Sequence, residues 1–247
     1  MNLSEPMCIT PEWDAPTNVK ACCTTRLGGV STQPFDCMNL SSNVGDDYNN
    51  VKENRDRISN YLGLPGEPFW LQQVHGCDIA DTSGGEPNIR ADASFSNKAN
   101  NICTVLTADC LPVLFSHCTG KQVAIAHGGW RGIYAGIIEK TAERFRVPGS
   151  ELSAWLGPGI SRQHYVVGNA LMSKFLDKFP ESESAFTEKG DNLVYLDLYK
   201  LAEQRLQSAG VQKIFRTSHC TYSRDDLFFS YRRSHQTGRM ASFIWFE

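Results

Sequence analysis

Two histidines and one cysteine are the residues of this chain whose types best suit a catalytic site. Cys110 precedes one apolar run, His127 ends another at residues 123–126, and His75 follows a third at 69–74. Each stands beside a glycine or a turn at the end of a predicted strand, where a rigid frame can hold a reactive side chain. The pattern therefore predicts that these three side chains belong to one site.

Three interpretations of this trio remain open from the residues alone. Two imidazoles and one thiolate suit zinc, and three protein ligands leave the fourth tetrahedral position for water or substrate, as in catalytic sites. Alternatively, His127 or His75 activates the Cys110 thiolate for acyl or amide chemistry without a metal. Because their spacing matches no short zinc motif, ordinary buried side chains are the third interpretation.

Four polar side chains are predicted to contact a substrate. Arg131 lies where a Gly-Gly turn enters a predicted helix, whose free N–H groups favour anions, and Arg26 lies in a similar turn. Gln73 would share one side of a strand with His75. Asp109 would orient a histidine or act as a base. For each of the four, a purely structural role in a turn or at a sheet edge is the alternative.

The overall composition is that of an ordinary globular protein. The chain has 247 residues, of which 41% are hydrophobic and 21% charged, and its formal net charge is −3. No basic block is present, so bulk attraction to nucleic acid or to an anionic membrane is not indicated. Arg232, Arg233 and Arg239 form a local basic cluster, which we interpret mainly as a hub of structural ion pairs, with phosphate contact as the alternative.

Cysteine usage and the N-terminus predict a cytoplasmic protein. The nine cysteines are scattered and no pair is spaced C-x-x-C, which favours free thiols in a reducing compartment. The first eight residues lack the basic and apolar regions of a secretory signal. No apolar run approaches the roughly 18–20 residues that span a membrane. We expect a monomer or a small homo-oligomer.

Hydrophobic periodicity predicts many strands interleaved with fewer helices. Strands are predicted at 19–25, 69–74, 102–107, 112–115, 121–126, 153–156, 193–196, 211–217, 227–231 and 240–246, and helices at 49–62, 131–145, 170–179 and 198–209. Residues 77–81 are the expected hairpin partner of 69–74, residues 83–90 form a predicted loop, and 181–191 form a mobile one. The pattern indicates an α/β or α+β fold with mixed sheets in layers, in a single domain over 1–247.

Taken together, several segments closely resemble a widespread bacterial family. The family was first labelled laccase-like or polyphenol oxidase, and is also called the multicopper polyphenol oxidase or purine nucleoside phosphorylase family. The matching segments run from about residue 19 to the C-terminus: Thr24-Thr-Arg-Leu-Gly-Gly-Val-Ser31, Asn39-Leu40, Val44-Gly-Asp-Asp47, Gln73-Val-His-Gly76, Ala91-Asp-Ala93, Thr107-Ala-Asp-Cys-Leu-Pro-Val-Leu-Phe115, His127-Gly-Gly-Trp-Arg-Gly132, Gly157-Pro158, Phe229-Ser-Tyr-Arg-Arg233 and Thr237-Gly-Arg-Met240.

The resemblance implies a layered α/β fold similar to a bacterial toxin deamidase. It implies one zinc ion per chain held by His75, Cys110 and His127. It also implies phosphorolysis of adenosine, inosine or methylthioadenosine, with purine nucleoside and phosphate as small-molecule partners and adenosine deamination as a second activity. Two departures stand out: Gly128 replaces the alanine usual in the family, and Val166 replaces an acid.

Two other activities are weighed against this one. A Cys–His amidohydrolase acting on a cell-wall precursor is compatible with the implied fold. A copper polyphenol oxidase would fit the older family label, but a blue-copper centre with a copper cluster needs many histidines. The chain has six histidines and no His-x-His pair, so copper is possible but disfavoured.

Overall fold

The computed structural model describes residues 6–84 and 88–247. Within them the strands β1–β13, in chain order, are Cys8–Ile9, Val19–Thr24, Ile79–Asp81, Ala93–Ser96, Cys103–Thr107, Leu111–His117, Val123–Gly128, Leu152–Leu156, Val166–Gly168, Phe186–Gly190, Leu193–Leu196, Lys213–Arg216 and Met240–Phe246. The helices α1–α5 are Tyr48–Leu62, Trp130–Ala135, Ile137–Glu143, Asn169–Lys178 and Leu198–Ser208. The described helices include none with both the length and the apolar character to cross a bilayer.

The described strands form three sheets. A four-stranded antiparallel sheet has the order β1-β2-β13-β5. A six-stranded sheet has the order β12-β8-β6-β7-β4-β3 and is mixed, because its two edge strands pair in parallel and its inner strands antiparallel. A small antiparallel sheet has the order β10-β11-β9. The predicted mixed α+β architecture is confirmed.

Alternating side chains along the central strands build the layers. In β6, Leu114 faces the four-stranded sheet, whereas Val113 and Phe115 face the helices α2, α3 and α5 on the other side. In β13, Ile244 packs between the two sheets and Phe243 packs on the outer side with α1. Because successive side chains of a strand point to opposite faces, the two large sheets stack with helices outside both.

Local signals account for the best-predicted elements. The carboxylate of Asp47 accepts N–H bonds at the start of α1, and Gly63 ends this helix in the left-handed conformation. Asp197 caps α5 in the same way. Val51 and Ile58 lie on the buried face of α1, whereas Tyr61 is 56% exposed.

The predicted long helix over 131–145 is wrong in one respect. It is two shorter helices, α2 and α3, separated by Gly136 at φ 91°. A left-handed residue cannot continue a right-handed helix, so the chain changes direction at this glycine. The short α2 therefore packs separately from α3.

Two predicted strands do not form. Residues 69–74 are extended but make only isolated bridges, at Phe69 and Gln72. Residues 79–81, in the segment expected to form a hairpin with 69–74, pair in parallel with β4 instead. Residues 227–231 form no strand: the N–H groups of Leu227 and Phe228 close a turn on the carbonyl of Arg224, and the segment then continues without regular structure. Its apolar character reflects the complete burial of Phe228 and Phe229, which a turn can achieve as well as a strand.

The predicted mobile loop at 181–191 is also wrong. It contains a 3₁₀ turn, Pro180–Ala185, followed by the strand β10. Only Phe186 of β10 is buried, and the other residues of this edge strand face solvent, which explains their polar sequence. Of the predicted loop at 83–90, residues 85–87 lie outside the described residues.

Candidate active site

The six-stranded sheet brings Cys110 and His127 together. Cys110 directly precedes β6, His127 lies near the end of β7, and Pro112 pairs with His127 in the register of these neighbouring strands. His75 approaches from the extended segment after residue 74, with φ 59°. The ligand atoms of the three residues all lie within 4.8 Å of one another. This trio is one of the groups of metal-binding type found among the described residues.

Asp92, immediately before β4, holds two members of the trio in place. Its Oδ1 accepts hydrogen bonds from the backbone N–H of His75 and from Nδ1 of His127, both at 2.9 Å. Its Oδ2 accepts from the backbone N–H groups of Val74 at 3.0 Å and Gly76 at 2.7 Å. With Nδ1 of His127 committed to this carboxylate, Nε2 is the nitrogen that is free to bind a metal or to exchange a proton.

The charges around Cys110 favour its thiolate. Burial raises the pKa of the Cys110 thiol, but the positive charges and hydrogen bonds of His127 and His75 lower it to about 6. Burial lowers the pKa of His127, but the thiolate and Asp92 raise it to about 9. The deprotonated thiolate is both the form that binds metal and the nucleophilic form. The lowered pKa of Cys110 is therefore compatible both with metal binding and with a role of the thiolate as a nucleophile.

Two glycines leave room at the trio. A Cβ at Gly129 would lie 3.0 Å from the Sγ of Cys110 and 3.3 Å from Cδ2 of His75. A Cβ at Gly132 would lie 2.9 Å from the backbone oxygen of Gly76. Any larger residue would push α2 away from the segment that carries His75.

The trio opens into a cavity of about 530 Å³. This volume is in the range of small-molecule sites, roughly 300–1,000 Å³. Aromatic and apolar side chains share the wall with cationic ones. Besides the trio, its lining includes Trp130, Arg131, Tyr165, Tyr231, Arg232, His235 and Arg239.

Three arginines in the cavity wall contact carbonyl oxygens or aromatic rings of the protein. Nη1 of Arg232 donates to the carbonyl of Val166 at 2.8 Å, and its guanidinium lies 4.9 Å from the ring centroid of Tyr165. Nη1 of Arg239 donates to two carbonyls of its own turn, and burial lowers its pKa. The guanidinium of Arg131 lies 4.4 Å from the ring centroid of Trp130.

The predicted ion-pair hub of Arg232, Arg233 and Arg239 is therefore wrong. Arg233 also donates to carbonyl oxygens, at three positions in the turn 221–228. A guanidinium that bonds only neutral carbonyls keeps its full positive charge. Arg232 and Arg239 thus bring positive charge to a cavity whose wall also holds Asp109 and Cys110. Phosphate contact, the alternative interpretation of this cluster, is compatible with that placement.

The four predicted substrate contacts are distributed unequally. Arg131, Gln73 and Asp109 line the cavity, but Arg26 does not. Instead, Arg26 donates to the carbonyl and carboxylate of Asp36 and to a carbonyl at residue 225. Its guanidinium holds loops together at a distance from the cavity.

Gln73 and Asp109 use their polar atoms on the protein itself. Gln73 donates to the carbonyl of Leu106 at 2.9 Å and accepts from its N–H at 2.7 Å. Asp109, at φ 96°, accepts from the hydroxyl of Thr221 and the N–H of Arg232, both at 2.7 Å. Asp109 therefore positions the Arg232 segment, and the prediction that it orients a histidine is wrong, because Asp92 performs that role.

Comparisons with known proteins show the family of the chain. A family model described as multi-copper polyphenol oxidoreductase laccase matches residues 20–247. The chain belongs to this family. A family member from Escherichia coli, named purine nucleoside phosphorylase YfiH, is 46% identical over 96% of this chain and 98% of its own. Another, from Pseudomonas aeruginosa, carries the name purine nucleoside phosphorylase PA4543 and is 44% identical over 97% of this chain and 98% of its own.

A solved structure extends the similarity to the fold. The Neisseria meningitidis protein NMB0706 superposes with a TM-score of 0.93 and 40% identity, and the match covers 98% of this chain and 100% of that one. The family name describes an oxidoreductase, whereas the two relatives above are named as phosphorylases. Whether the chain is an oxidoreductase or a phosphorylase must therefore be argued from the residues of the cavity.

Proposed function

We propose that the chain is a purine nucleoside phosphorylase whose metal is zinc, one ion at His75, Cys110 and His127. It transfers the ribosyl group of adenosine, inosine or methylthioadenosine to phosphate and releases the free base and ribose 1-phosphate. The observation that carries the proposal is the convergence of this trio with three arginines on one cavity of nucleoside size. The names of the relatives support the same substrate class.

The donor set of the trio fits zinc. Two imidazole nitrogens and a thiolate are preferred zinc ligands, and the space left by Gly129 lets them approach one another. When bound, zinc supplies a Lewis acid and lowers the pKa of a coordinated water. Asp92 keeps His127 in one tautomer and binds the backbone of His75, so the chain supplies the orientation of two ligands.

The arginines support phosphate as the second substrate. Arg131, Arg232 and Arg239 place three positive charges on the cavity, and each guanidinium has five N–H donors, more than its protein partners use. In phosphorolysis a phosphate oxygen bonds to C1′ of the ribose while the C1′–N9 bond breaks. The electron pair of that bond goes to the purine, which also takes up a proton. Arginines at the phosphate neutralise its charge and orient it for this attack.

The proposal is tested by analysing products with mass spectrometry. Zinc-loaded protein is incubated with adenosine, with and without phosphate, beside the variant Cys110→Ala. Adenine and ribose 1-phosphate that appear only with phosphate, and are absent with the variant, are the expected result. Full activity and full zinc content in Cys110→Ala would overturn the proposal.

Adenosine deamination is proposed as a second activity of the same site. Three protein ligands leave one position for water on the metal, and an activated water is the reactant that deamination needs. Inosine formed without phosphate, and lost in Cys110→Ala, is the expected result. If adenosine yields no inosine, the proposed deaminase activity is refuted and the proposed phosphorylase activity is unaffected.

A Cys–His amidohydrolase is the alternative that a specific observation favours. The lowered pKa of Cys110 and the raised pKa of His127 describe a thiolate–imidazolium pair, as in cysteine hydrolases. Amide hydrolysis that persists with a chelator, and is lost on alkylation of Cys110, would support it. Copper oxidase chemistry is less well supported, because each described group of metal-binding type holds at most two histidines. Oxygen uptake by copper-loaded protein in the presence of a phenol would support copper oxidase activity.

A further inference from the structure

A second group of ligand side chains lies at the opposite end of β6. His117 is the last residue of this strand, Cys118 follows it, and Glu151 ends a short 3₁₀ turn before β8. Their ligand atoms also lie within 4.8 Å of one another. Because Cys110 precedes β6 and Cys118 follows it, roughly 20–25 Å of strand separates this group from the proposed catalytic metal.

The backbone holds the three residues in this arrangement. The N–H of Cys118 donates to the carbonyl of Glu151 at 2.9 Å, and His117 pairs with Leu152 in the register of β6 and β8. The turn from Cys118 to residue 122 folds back, with Gly120 at φ 66° donating to the carbonyl of His117. The ligand positions are therefore set by main-chain bonds and not by flexible side chains alone.

The distances within the group are close to those that a tetrahedral metal requires. Nε2 of His117 lies 3.1 Å from Oε2 of Glu151 and 3.9 Å from Sγ of Cys118. Around a tetrahedral zinc ion, nitrogen and oxygen ligands are about 3.3 Å apart, and nitrogen and sulfur ligands about 3.6 Å apart. For these two pairs, shifts of a few tenths of an ångström would bring the atoms to the spacing of zinc ligands, and the thiol and carboxylate lie within 4.8 Å of each other.

The surroundings of His117 also suit a metal ligand. Its ring is buried, whereas Cys118 and the side chain of Glu151 reach solvent. Nδ1 of His117 accepts the backbone N–H of Thr119 at 3.3 Å and lies 2.6 Å from the hydroxyl of the same residue. With Nδ1 accepting, Nε2 carries the proton and donates to Glu151 in the metal-free protein. Metal binding at Nε2 would move this proton to Nδ1, where the hydroxyl of Thr119 can accept it, as the second nitrogen of a ligating histidine usually requires. Nε2 then faces the exposed thiol and carboxylate.

We propose that His117, Cys118 and Glu151 form a second divalent-metal site, which takes zinc. The combination of one nitrogen, one sulfur and one oxygen donor is of the kind that zinc accepts, and solvent or an external ligand takes the fourth position. The bound ion joins the turn between β6 and β7 to the segment that begins β8. Its role is to stabilise this end of the strands β6 and β8, and it is independent of the catalytic function.

The test counts zinc ions per chain by equilibrium dialysis and elemental analysis, starting from chelator-treated protein. We expect two ions in the wild type, and one each in Cys110→Ala and Cys118→Ser. The double variant should bind none. The exposed position of Cys118 means that serine there should not disturb folding, which far-UV circular dichroism of the zinc-free variant checks.

Two further variants separate a metal site from simpler explanations. Glu151→Gln keeps an oxygen that accepts a hydrogen bond from His117 but is a poor ligand, so the second ion should be lost or bound at least tenfold more weakly. Cys37→Ser removes a thiol that belongs to neither described metal-binding group, and should still bind two ions. Unchanged zinc content in Cys118→Ser would overturn the proposal, as would equal losses in Cys118→Ser and Cys37→Ser, which would indicate unspecific thiol binding.

Discussion

The substitution Asp92→Asn should reduce both the stability of the protein and its affinity for zinc. Both oxygens of this buried carboxylate accept two hydrogen bonds each, from three backbone N–H groups and from Nδ1 of His127. An asparagine has only one acceptor oxygen, and its NH₂ group would face two of the four donors. The segment that carries His75 would then lose part of its anchorage.

The pKa of Asp92 gives the magnitude. Burial raises this pKa, but the hydrogen bond and charge of His127, with the N–H groups of Gly76 and Val74, lower it from its usual 3.8 to about 2. At about 1.4 kcal/mol per pKa unit, the carboxylate contributes about 2 kcal/mol to folding at neutral pH. Since the folded-state pKa is depressed, this contribution is complete above about pH 4 and is lost as the pH falls towards 2.

Urea denaturation with a chelator present measures this contribution without zinc. The free energy of unfolding of Asp92→Asn should be about 2 kcal/mol below that of the wild type at pH 7, and the difference should narrow as the pH falls from 4 to 2. Zinc affinity, measured by competition with a chelating dye at pH 7, should fall about 10–100-fold, as is typical when the hydrogen-bond partner of a metal ligand is lost.

A matched control comes from a second carboxylate. Asp46 also accepts several hydrogen bonds, from Ser31, Asn39 and the N–H of Asp47, and it does not contact the trio. Asp46→Asn should lose stability with zinc affinity unchanged. If Asp92→Asn bound zinc as tightly as the wild type, the reasoning that this carboxylate positions the ligands would be refuted.

Three further substitutions test other parts of the structure. Gly129→Ala places a Cβ 3.0 Å from the Sγ of Cys110 and should weaken zinc binding about tenfold in the same competition assay. The control is Gly168→Ala, at the start of a helix, where the added Cβ meets nothing within 4 Å and zinc binding should be unchanged. Arg131→Gln should raise the KM for phosphate about 10–100-fold in steady-state kinetics, with zinc content unchanged; an unaltered KM would remove Arg131 from the phosphate site. Asn54→Ala should lower the free energy of unfolding in urea by about 2–4 kcal/mol, because this buried side chain bonds three backbone groups and a hydroxyl, and a change below 1 kcal/mol would contradict that role.

Local patterns predicted the parts of the fold that depend on neighbouring residues. Apolar runs predict the strands β5–β8, and hydrophobic periodicity predicts α1 and α5, because backbone bonding and burial there follow the local sequence. Predictions failed where a single residue or a partner distant in sequence determines the backbone conformation. Gly136 divides a helix whose periodicity continues across it, and the apolar segment 227–231 has the composition of a strand but forms none.

Prediction of the site had the same limit. His75, Cys110 and His127 were chosen for their residue types and for their positions at strand ends, and the structure brings them together. Asp92 lies in the segment Ala91-Asp-Ala93 of the family resemblance, but the sequence alone predicts no role for it. Its meaning became visible only as a contact across 35 residues with His127. Arg232 and Arg239 were assigned mainly to ion pairs because a basic cluster in a sequence carries no information about which groups face it.

The sequence by itself therefore determined which chemistry was available: the ligand types, the strand ends that carry them and the family of the chain. Only the tertiary structure decided which polar atoms remain available to a substrate. Asp109 and Gln73 lie in the cavity, yet they use their oxygens on partners 112, 123 and 33 residues away. Arg26 uses its guanidinium elsewhere. The physical reason is that a buried polar group must find a hydrogen-bond partner, and long-range packing chooses that partner.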